Sequence, residues 1–415
     1  MNRWFFSLLL LAACHGVRPG ATDAFSAVGG EGSKRLNMER QSIARLLGDQ
    51  DALLAADPAG KTVVSIRADR MLVPASTLKI LTALIARHYL GTAFRFKTEF
   101  YLDDRNNLKI KGYGDPLLIS EVIRNISATM AERIHVFNDL IVDGSWFGAV
   151  AVPGITDTLN PYDAPNGALA VNFNTVNFIR LSEHRYVSAE PQTPLLPFIL
   201  DRIRQSGRTA ERIVLSAEKD EAMLYAGHLF RHFLRDAGVR SRGKVKSGVI
   251  RPGQDRMVYR YDATYSLDEI IRQLLMYSNN YIANQLLISA GIAVHGPPGT
   301  LEKGILAADD YIRTVLKRRD IRMVEGSGIS RENRITAACM MKILEAFAPL
   351  HDFMREDGGI YYKTGSLTGV KTRVGYVRGK DGSLSPFVLI LNTPDKSVDP
   401  VMSRLAGLLE QKATR

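Results

Sequence analysis

Apolar positions along the chain fall into short runs whose period changes, and each period predicts an element. After Arg3 an apolar run covers residues 4–13, the length of a secretory signal core and too short for a permanent bilayer-spanning helix. Residues 26–49 read as a linker followed by a short helix. Apolar runs at 52–57 and 62–67 flank Pro58-Ala59-Gly60 and predict a β-hairpin. Behind Pro74, the spacing of Leu78, Leu81, Ala83, Leu84 and Ile85 predicts a helix. Short alternating strands follow at 94–102, 107–112 and 169–180, broken by polar turns at 103–106 and 143–144. From Pro194 the pattern turns helical, with amphipathic runs at 195–206, 221–237, 267–289 and 298–317. Strands return at 374–378 and 386–391, and a helix at 401–412 closes the chain. Segregated helices and strands predict an α+β fold. A length of 415 residues predicts two or three domains.

Composition narrows the class. Apolar residues make up 46% and charged residues 23%, and the mean hydropathy is −0.06, values of an ordinary globular protein. Cys14 and Cys339, the two cysteines, cannot build a disulfide framework or a cysteine-rich zinc site. His228 and His232 share a helical spacing, but no acidic residue accompanies them as in a His-Glu-x-x-His site, so they read as structural. No metal and no cofactor are expected. A net charge of +11 favours anionic partners. No zinc-finger spacing, RNA-binding signature or dense basic run points to nucleic acid; anionic envelope polymers or lipids fit the charge at least as well, and a solvated basic surface without a specific partner is the plainer reading.

The amino terminus predicts export, with two possible endings inside residues 1–24. Leu11-Ala12-Ala13-Cys14 is similar to a bacterial lipoprotein box, which would lipidate Cys14 and attach the chain to a membrane. Thr22-Asp23-Ala24 fits ordinary small-x-small cleavage and would release a soluble chain into the periplasm. No other stretch reaches about 18 consecutive apolar residues.

Three short motifs carry candidate chemistry: Ser76-Thr77-Leu78-Lys79, Ser278-Asn279-Asn280 and Lys363-Thr364-Gly365. Two decoys exist. Ser216-Ala217-Glu218-Lys219 fits the first pattern but sits in a polar run, and Lys246-Ser247-Gly248 fits the third but is out of order. Ser76 and Lys79 at helical spacing face the same side. A serine hydroxyl attacks only once a base takes its proton, and a lysine can be that base only when neutral. Burial and a second cation, here Lys363, both favour the neutral form. Ser278 would relay the proton to a leaving amine, and Asn280 would offer its amide to a peptide carbonyl. Thr364 and Ser366 would donate hydroxyls to a carboxylate, while the backbone N–H groups of Ser76 and Ser366 would form an oxyanion hole.

With these motifs in order, the sequence resembles the low-molecular-mass class C penicillin-binding proteins, D-alanyl-D-alanine carboxypeptidases and endopeptidases. Three strings add to the resemblance: residues 73–77, the stretch Gly112-Tyr113-Gly114-Asp115-Pro116-Leu117, and residues 325–333, which are similar to the family's Asp-Gly-Ser-Gly-Leu-Ser-Arg-x-Asn. The resemblance implies a penicillin-binding/β-lactamase-like transpeptidase domain, an antiparallel sheet with flanking helices. About 200 residues separate Ser76 from Ser278, which implies an insertion of β-rich domains. The expected division is a catalytic domain at 25–89 and 227–415 around an insert at 90–226. The resemblance further implies that Asp157, Tyr162 and Arg331 hold the far end of a peptidoglycan peptide, with Gly365 in the groove; Thr368 stands where a diaminopimelate-binding relative carries glutamine. The expected activity is that of a serine D-Ala-D-Ala carboxypeptidase or endopeptidase inhibited by β-lactams. Two other functions fit the motifs: a non-catalytic muropeptide- or penicillin-binding protein, against which the intact motif residues count, and a β-lactamase, for which no Glu-x-x-x-Asn lies between the second and third motifs.

Overall fold

A computed structural model describes residues 28–410 apart from Asp157, His184 and Ala217. The signal-like run, both proposed cleavage sites, Cys14 and Asp157 lie outside the described residues.

The apolar run near the end of the chain organises the first core. Strand Leu384–Leu391 lies inside a six-stranded sheet whose order is Arg355–Asp357, Ile360–Leu367, Val370–Arg378, Leu384–Leu391, Asp51–Ala56, Thr62–Ile66. Every neighbouring pair is antiparallel. Because side chains alternate across a strand, Val388 and Ile390 point into one cluster and Phe387, Leu389 and Leu391 into another. Both faces are therefore covered, which is why the strand reads as an unbroken apolar run. Helices Val28–Leu46 and Asp399–Glu410 cover one face. The other carries Lys79–Leu90, Leu267–Tyr277, Asn280–His295, Leu301–Thr314 and Ala337–Phe347. The expected hairpin forms, its turn held by Asp57 Oδ1, which accepts from Ala59 N at 3.1 Å and Lys61 N at 2.8 Å. The first helix is longer than expected, with 19 residues.

A second core is built on the five-stranded sheet Val245–Ser247, Leu140–Asp143, Leu108–Gly112, Lys97–Leu102, Arg256–Asp262. Here the structure corrects two expectations. The insert is mixed, not simply β-rich: three of its strand pairs are parallel, and helices Ser120–Ala131 and Glu221–Asp236 bury Ile123, Ile126, Leu229 and Phe230 in its core. It also extends past residue 226, because Arg256–Asp262 pairs with Lys97–Leu102. The boundary set at 227 followed the onset of helical periodicity, and periodicity reports burial without saying in which core.

Two further expectations change. The strand predicted at 169–180 begins only at Thr175, after a short 3₁₀ turn, Asn172–Asn174. Asn172 and Asn174 take left-handed φ angles of 48° and 52°, which asparagine tolerates better than most residues. The helical run at 267–289 is broken at Ser278, which is left-handed (φ 55°) between two helices. Asn279 caps the second of them, its Oδ1 accepting from Ile282 N at 3.1 Å.

Helix Asn280–His295 joins the cores through one buried side chain. Gln285 Nε2 donates to the carbonyls of Gly114 (3.0 Å) and Gly167 (2.7 Å), and Oε1 accepts from Asn166 Nδ2 at 2.9 Å. Gln285→Leu leaves these partners unpaired, at about 1–3 kcal/mol for each buried orphan. We expect a thermal midpoint several degrees below wild type, read by calorimetry, together with slower chemistry at the site this helix carries; an unchanged midpoint contradicts the joint.

Candidate active site

Ser76 lies in the 3₁₀ turn Ala75–Leu78, which leads directly into helix Lys79–Leu90. The turn is tightly enclosed. Ala75 has a left-handed φ of 49°, a strained state for a residue with a side chain. Pro74 O accepts from Thr77 Oγ1 (2.6 Å) and from Thr372 Oγ1 (3.0 Å) of the sheet. Two glycines allow the close approach. A Cβ on Gly328 would lie 1.9 Å from Ala75 O, and one on Gly365 would lie 2.8 Å from Ser76 N.

Lys79 is fully buried. Its Nζ lies 2.9 Å from Ser76 Oγ and donates to Asn280 Oδ1 at 2.8 Å and to the Ser327 carbonyl at 2.6 Å. Burial above all, then the charge of Lys363, pushes its pKa well below the usual lysine range, while Glu325 acts in the opposite direction. A neutral amine has two N–H bonds and one lone pair. With Asn280 and Ser327 taking the two N–H bonds, the lone pair faces the Ser76 hydroxyl. Lys363 Nζ donates to Ser278 Oγ and to the Thr364 carbonyl, both at 2.8 Å, and burial lowers its pKa to about 8. The structure thus gathers the motif residues into two hydrogen-bonded sets, Ser76 and Asn280 on Lys79 and Ser278 on Lys363, with Ser278 and Asn280 two residues apart at the break between helices.

The third motif lies on the sheet strand Ile360–Leu367, where Lys363 and Gly365 are buried and Thr364 and Ser366 are exposed. Arg331 is also exposed, and its guanidinium donates to the carbonyl of Thr368. Tyr162 is 61% exposed on the turn Pro161–Asp163. Its neighbour Pro161 shares a cavity of about 390 Å³ with Tyr277 and Asn279, which puts this loop beside the second motif without joining Tyr162 to either hydrogen-bonded set. The decoys stay apart. Ser216 Oγ accepts from Glu218 N (3.0 Å), and Lys246 pairs with Asp139 at 2.5 Å. His228 stacks on Phe198, with ring centroids 4.4 Å apart.

Sequence reasoning missed the group that shapes the Lys79 site. Glu325 is fully buried, and its carboxylate accepts from Ser327 N, Ser327 Oγ, Gly328 N and Asn333 Nδ2, each at 2.6 Å. These bonds curl residues 325–333 so that the Ser327 carbonyl turns toward Lys79. Asn284 completes the hub, donating to Glu325 Oε2 (3.2 Å) and accepting from Gly326 N (2.6 Å). One signal was available: Asn280 and Asn284 stand one helical turn apart on one face. Among the described residues no cluster of three or more His, Cys, Asp or Glu side chains could hold a metal ion.

A model of the D-Ala-D-Ala carboxypeptidase 3 (S13) family matches residues 36–209 and 203–356. The chain belongs to this family. This S13 enzyme is 26% identical to the D-alanyl-D-alanine carboxypeptidase of an Actinomadura species over 91% of its length and 84% of the relative. It is 22% identical to D-alanyl-D-alanine carboxypeptidase DacB of Haemophilus influenzae, over 77% and 80% of the two chains. Among solved structures it is similar to penicillin-binding protein 4 of H. influenzae (TM-score 0.72, 18% identity, 90% and 99% of the two chains). A predatory peptidoglycan endopeptidase of Bdellovibrio bacteriovorus shares the fold at a TM-score of 0.51 (18% identity, 88% and 92%). The S13 enzyme is a serine D-Ala-D-Ala carboxypeptidase with an α+β, penicillin-binding-protein fold.

The lysine environment generates a pH prediction. Lys363 is charged below its pKa of about 8, so any cationic role it has is lost as pH rises through that value. Acylation of the enzyme by penicillin, followed by stopped flow, should decline above about pH 8. Lys363→Arg keeps its charge to far higher pH and should shift this limb upward; an identical limb in the variant contradicts the assignment.

Proposed function

We propose that Ser76 is the nucleophile of this carboxypeptidase and Lys79 its general base. The observation that carries this reading is the placement of Lys79 Nζ 2.9 Å from Ser76 Oγ, with its other contacts on Asn280 and the Ser327 carbonyl. Ser76 Oγ attacks the carbonyl carbon of the penultimate D-alanine while its proton passes to Lys79 Nζ. The tetrahedral oxyanion sits between the backbone N–H groups of Ser76 and Ser366, a pairing supported by the approach of Gly365 to Ser76 N. As the C–N bond breaks, the proton moves through Ser278 to the leaving amine, and D-alanine departs from an acyl-enzyme ester. Water, deprotonated through Lys79, then hydrolyses the ester and restores Ser76.

Asn280 uses Oδ1 on Lys79, which leaves its Nδ2 for a peptide carbonyl of the substrate. Thr364 and Ser366 hold the terminal carboxylate, and Gly365 keeps the groove narrow. In this reading Arg331 and Tyr162 hold the far end of the stem peptide, a role the resemblance also gives to Asp157. The catalytic unit is the first core, and the second core is the insert that interrupts it.

Two extensions belong to the same reading. The enzyme also opens peptide cross-links, and β-lactams acylate Ser76. A penicillin G-acylated endopeptidase of B. bacteriovorus and a β-lactam complex of the H. influenzae protein support the second. Export places the chain in the bacterial periplasm beside peptidoglycan, with Cys14 lipidated as its membrane attachment. Among the described residues no helix is long and apolar enough to cross a membrane.

Ser76→Ala should abolish the penicillin adduct seen by intact mass and lower D-alanine release more than about a thousandfold. Peptide mapping should find the label on Ser76 and none on Ser216. Lys79→Arg should be nearly as damaging as Lys79→Ala, about 10²–10⁴-fold, because a guanidinium cannot act as a base near neutral pH. Label on Ser216, or a Lys79→Arg enzyme with most of its activity, overturns these roles. Amino-terminal mass spectrometry from the native host should find a lipidated Cys14; a soluble chain beginning at Phe25 removes the anchor and leaves the catalytic roles standing.

A further inference from the structure

We propose that a cleft between the two cores binds the amino-terminal part of the substrate peptide, so that the enzyme prefers full-length stem peptides to shortened ones. The proposal rests on the reading that lays the peptide against Asn280 and Tyr162.

The residues next to these two tie the cleft to the peptide. Asn279 and Tyr281, on either side of Asn280, line a cavity of about 390 Å³, and so does Pro161, which precedes Tyr162. A peptide that runs past Asn280 and Tyr162, away from the scissile bond, therefore leads into this cavity. Tyr277, which lines it too, is 72% exposed. A second cavity of about 220 Å³ shares the walls Leu117, Phe173, Arg212 and Gln273 with the first. The two form one cleft. Its walls come from both cores, with Arg212 on strand Ala210–Val214 and Gln273 on helix Leu267–Tyr277. The larger cavity alone falls within the range of ligand sites, about 300–1,000 Å³.

The shared wall is strained. Phe173 has φ 58° and ψ 27°, left-handed values that are an outlier for a bulky side chain. Its neighbours impose them: Asn172 Oδ1 accepts from Ser120 N at 2.9 Å, Asn172 Nδ2 donates to Ser120 Oγ at 2.9 Å, and Asn174 Nδ2 donates to the Pro165 carbonyl at 2.8 Å. Strain of this kind persists where the surroundings over-determine it, and it gathers at ligand clamps. Here it sets the half-buried Phe173 ring in the wall common to both cavities. The lining also changes along the cleft. Leu117, Pro161, Phe173 and Ile282 make the end beside the second motif apolar, whereas Glu121, Glu190 and Gln192 line the other. A side-chain amide both donates and accepts, as a peptide bond does. Small apolar side chains followed by peptide groups suit this order, and the upstream residues of a stem peptide supply both.

The test compares release of D-alanine by the full-length enzyme from two peptides with the same scissile bond, N-acetyl-Lys-D-Ala-D-Ala and N-acetyl-L-Ala-γ-D-Glu-Lys-D-Ala-D-Ala. Wild type should show a kcat/KM about tenfold or more higher on the pentapeptide, because binding energy from remote parts of a substrate assists the reacting centre. Phe173→Ala should lower that ratio about fivefold or more and stay within about twofold of wild type on the tripeptide, which is too short to enter the cleft. Gln273→Trp, at an exposed helix position, obstructs the cleft without removing a packed side chain and should lower the ratio even where Phe173→Ala folds poorly. Equal kcat/KM on the two peptides in wild type overturns the proposal. So does a Gln273→Trp enzyme with an unchanged ratio, or one that loses equally on both peptides, which is the signature of a structural role. A disaccharide-linked pentapeptide tests the other occupant: a gain that appears only with the sugars assigns the cleft to glycan and overturns the peptide assignment. Ser76→Ala, assayed alongside, keeps the two readings apart. Activity in that variant fails the nucleophile assignment, while the length ratio still reports on the cleft.

Discussion

The structure depends on holding one lysine side chain, Lys79, away from water. Removing an ammonium from solvent costs several kcal/mol even in a relaxed protein interior, and the surroundings of Lys79 offset that cost without neutralising it by direct contact with an acid. Its bonding partners are a hydroxyl, an amide oxygen and a backbone carbonyl. The carboxylate of Glu325 is placed one step back, bound to the amides of its own loop. A direct carboxylate partner would fix the lysine in its charged form, whereas neutral acceptors leave both protonation states accessible. The glycines at 328 and 365, the strained Ala75 and the break at Ser278 all serve to bring those acceptors within reach.

The second core meets this site through the same helix that supplies Asn280. One face of Asn280–His295 carries Asn280 and Asn284 into the Lys79 and Glu325 networks, and Gln285 on the same helix receives the loops of the second core. A cavity of about 390 Å³ beside Asn279 is lined by Thr175 and Arg212, on strands of the second core, together with Phe173, Tyr277, Tyr281 and Ile282, of which Phe173 packs against the first core. The two cores thus share a wall next to the second motif, so changes in the second core can reach the chemistry without touching a motif residue.

Much of this was legible in the sequence because the signals were chemical or strictly periodic. The motifs announced their residue types and order, and residues 386–391 announced a strand. Three features were illegible for identifiable reasons. The apolar pattern at 267–289 continues through Ser278 because both flanking helices pack into one core, so the left-handed break is invisible to periodicity. The helix Glu221–Asp236 and strand Arg256–Asp262 look like any amphipathic segments, and only their pairing assigns them to the second core. Glu325 reads as a conservative departure within a loop string, since an acid satisfied by backbone N–H groups has no partner that a sequence can show.

The strand Asp51–Ala56 carries a consequence for how the molecule comes into being. It pairs with Leu384–Leu391, and Asp51 accepts from the amide of Asn392, 341 residues away along the chain. Closing so long a loop is slow relative to forming nearby contacts. The second core, whose strands and helices are drawn from the intervening stretch, can condense before the sheet around it is complete. Ser76 and Lys79 are made early in synthesis, yet Lys79 is enclosed only when residues near 327 and 363 arrive. A nascent chain therefore carries a hydrated Lys79, and the buried environment that lowers its pKa is complete only when the late residues have arrived.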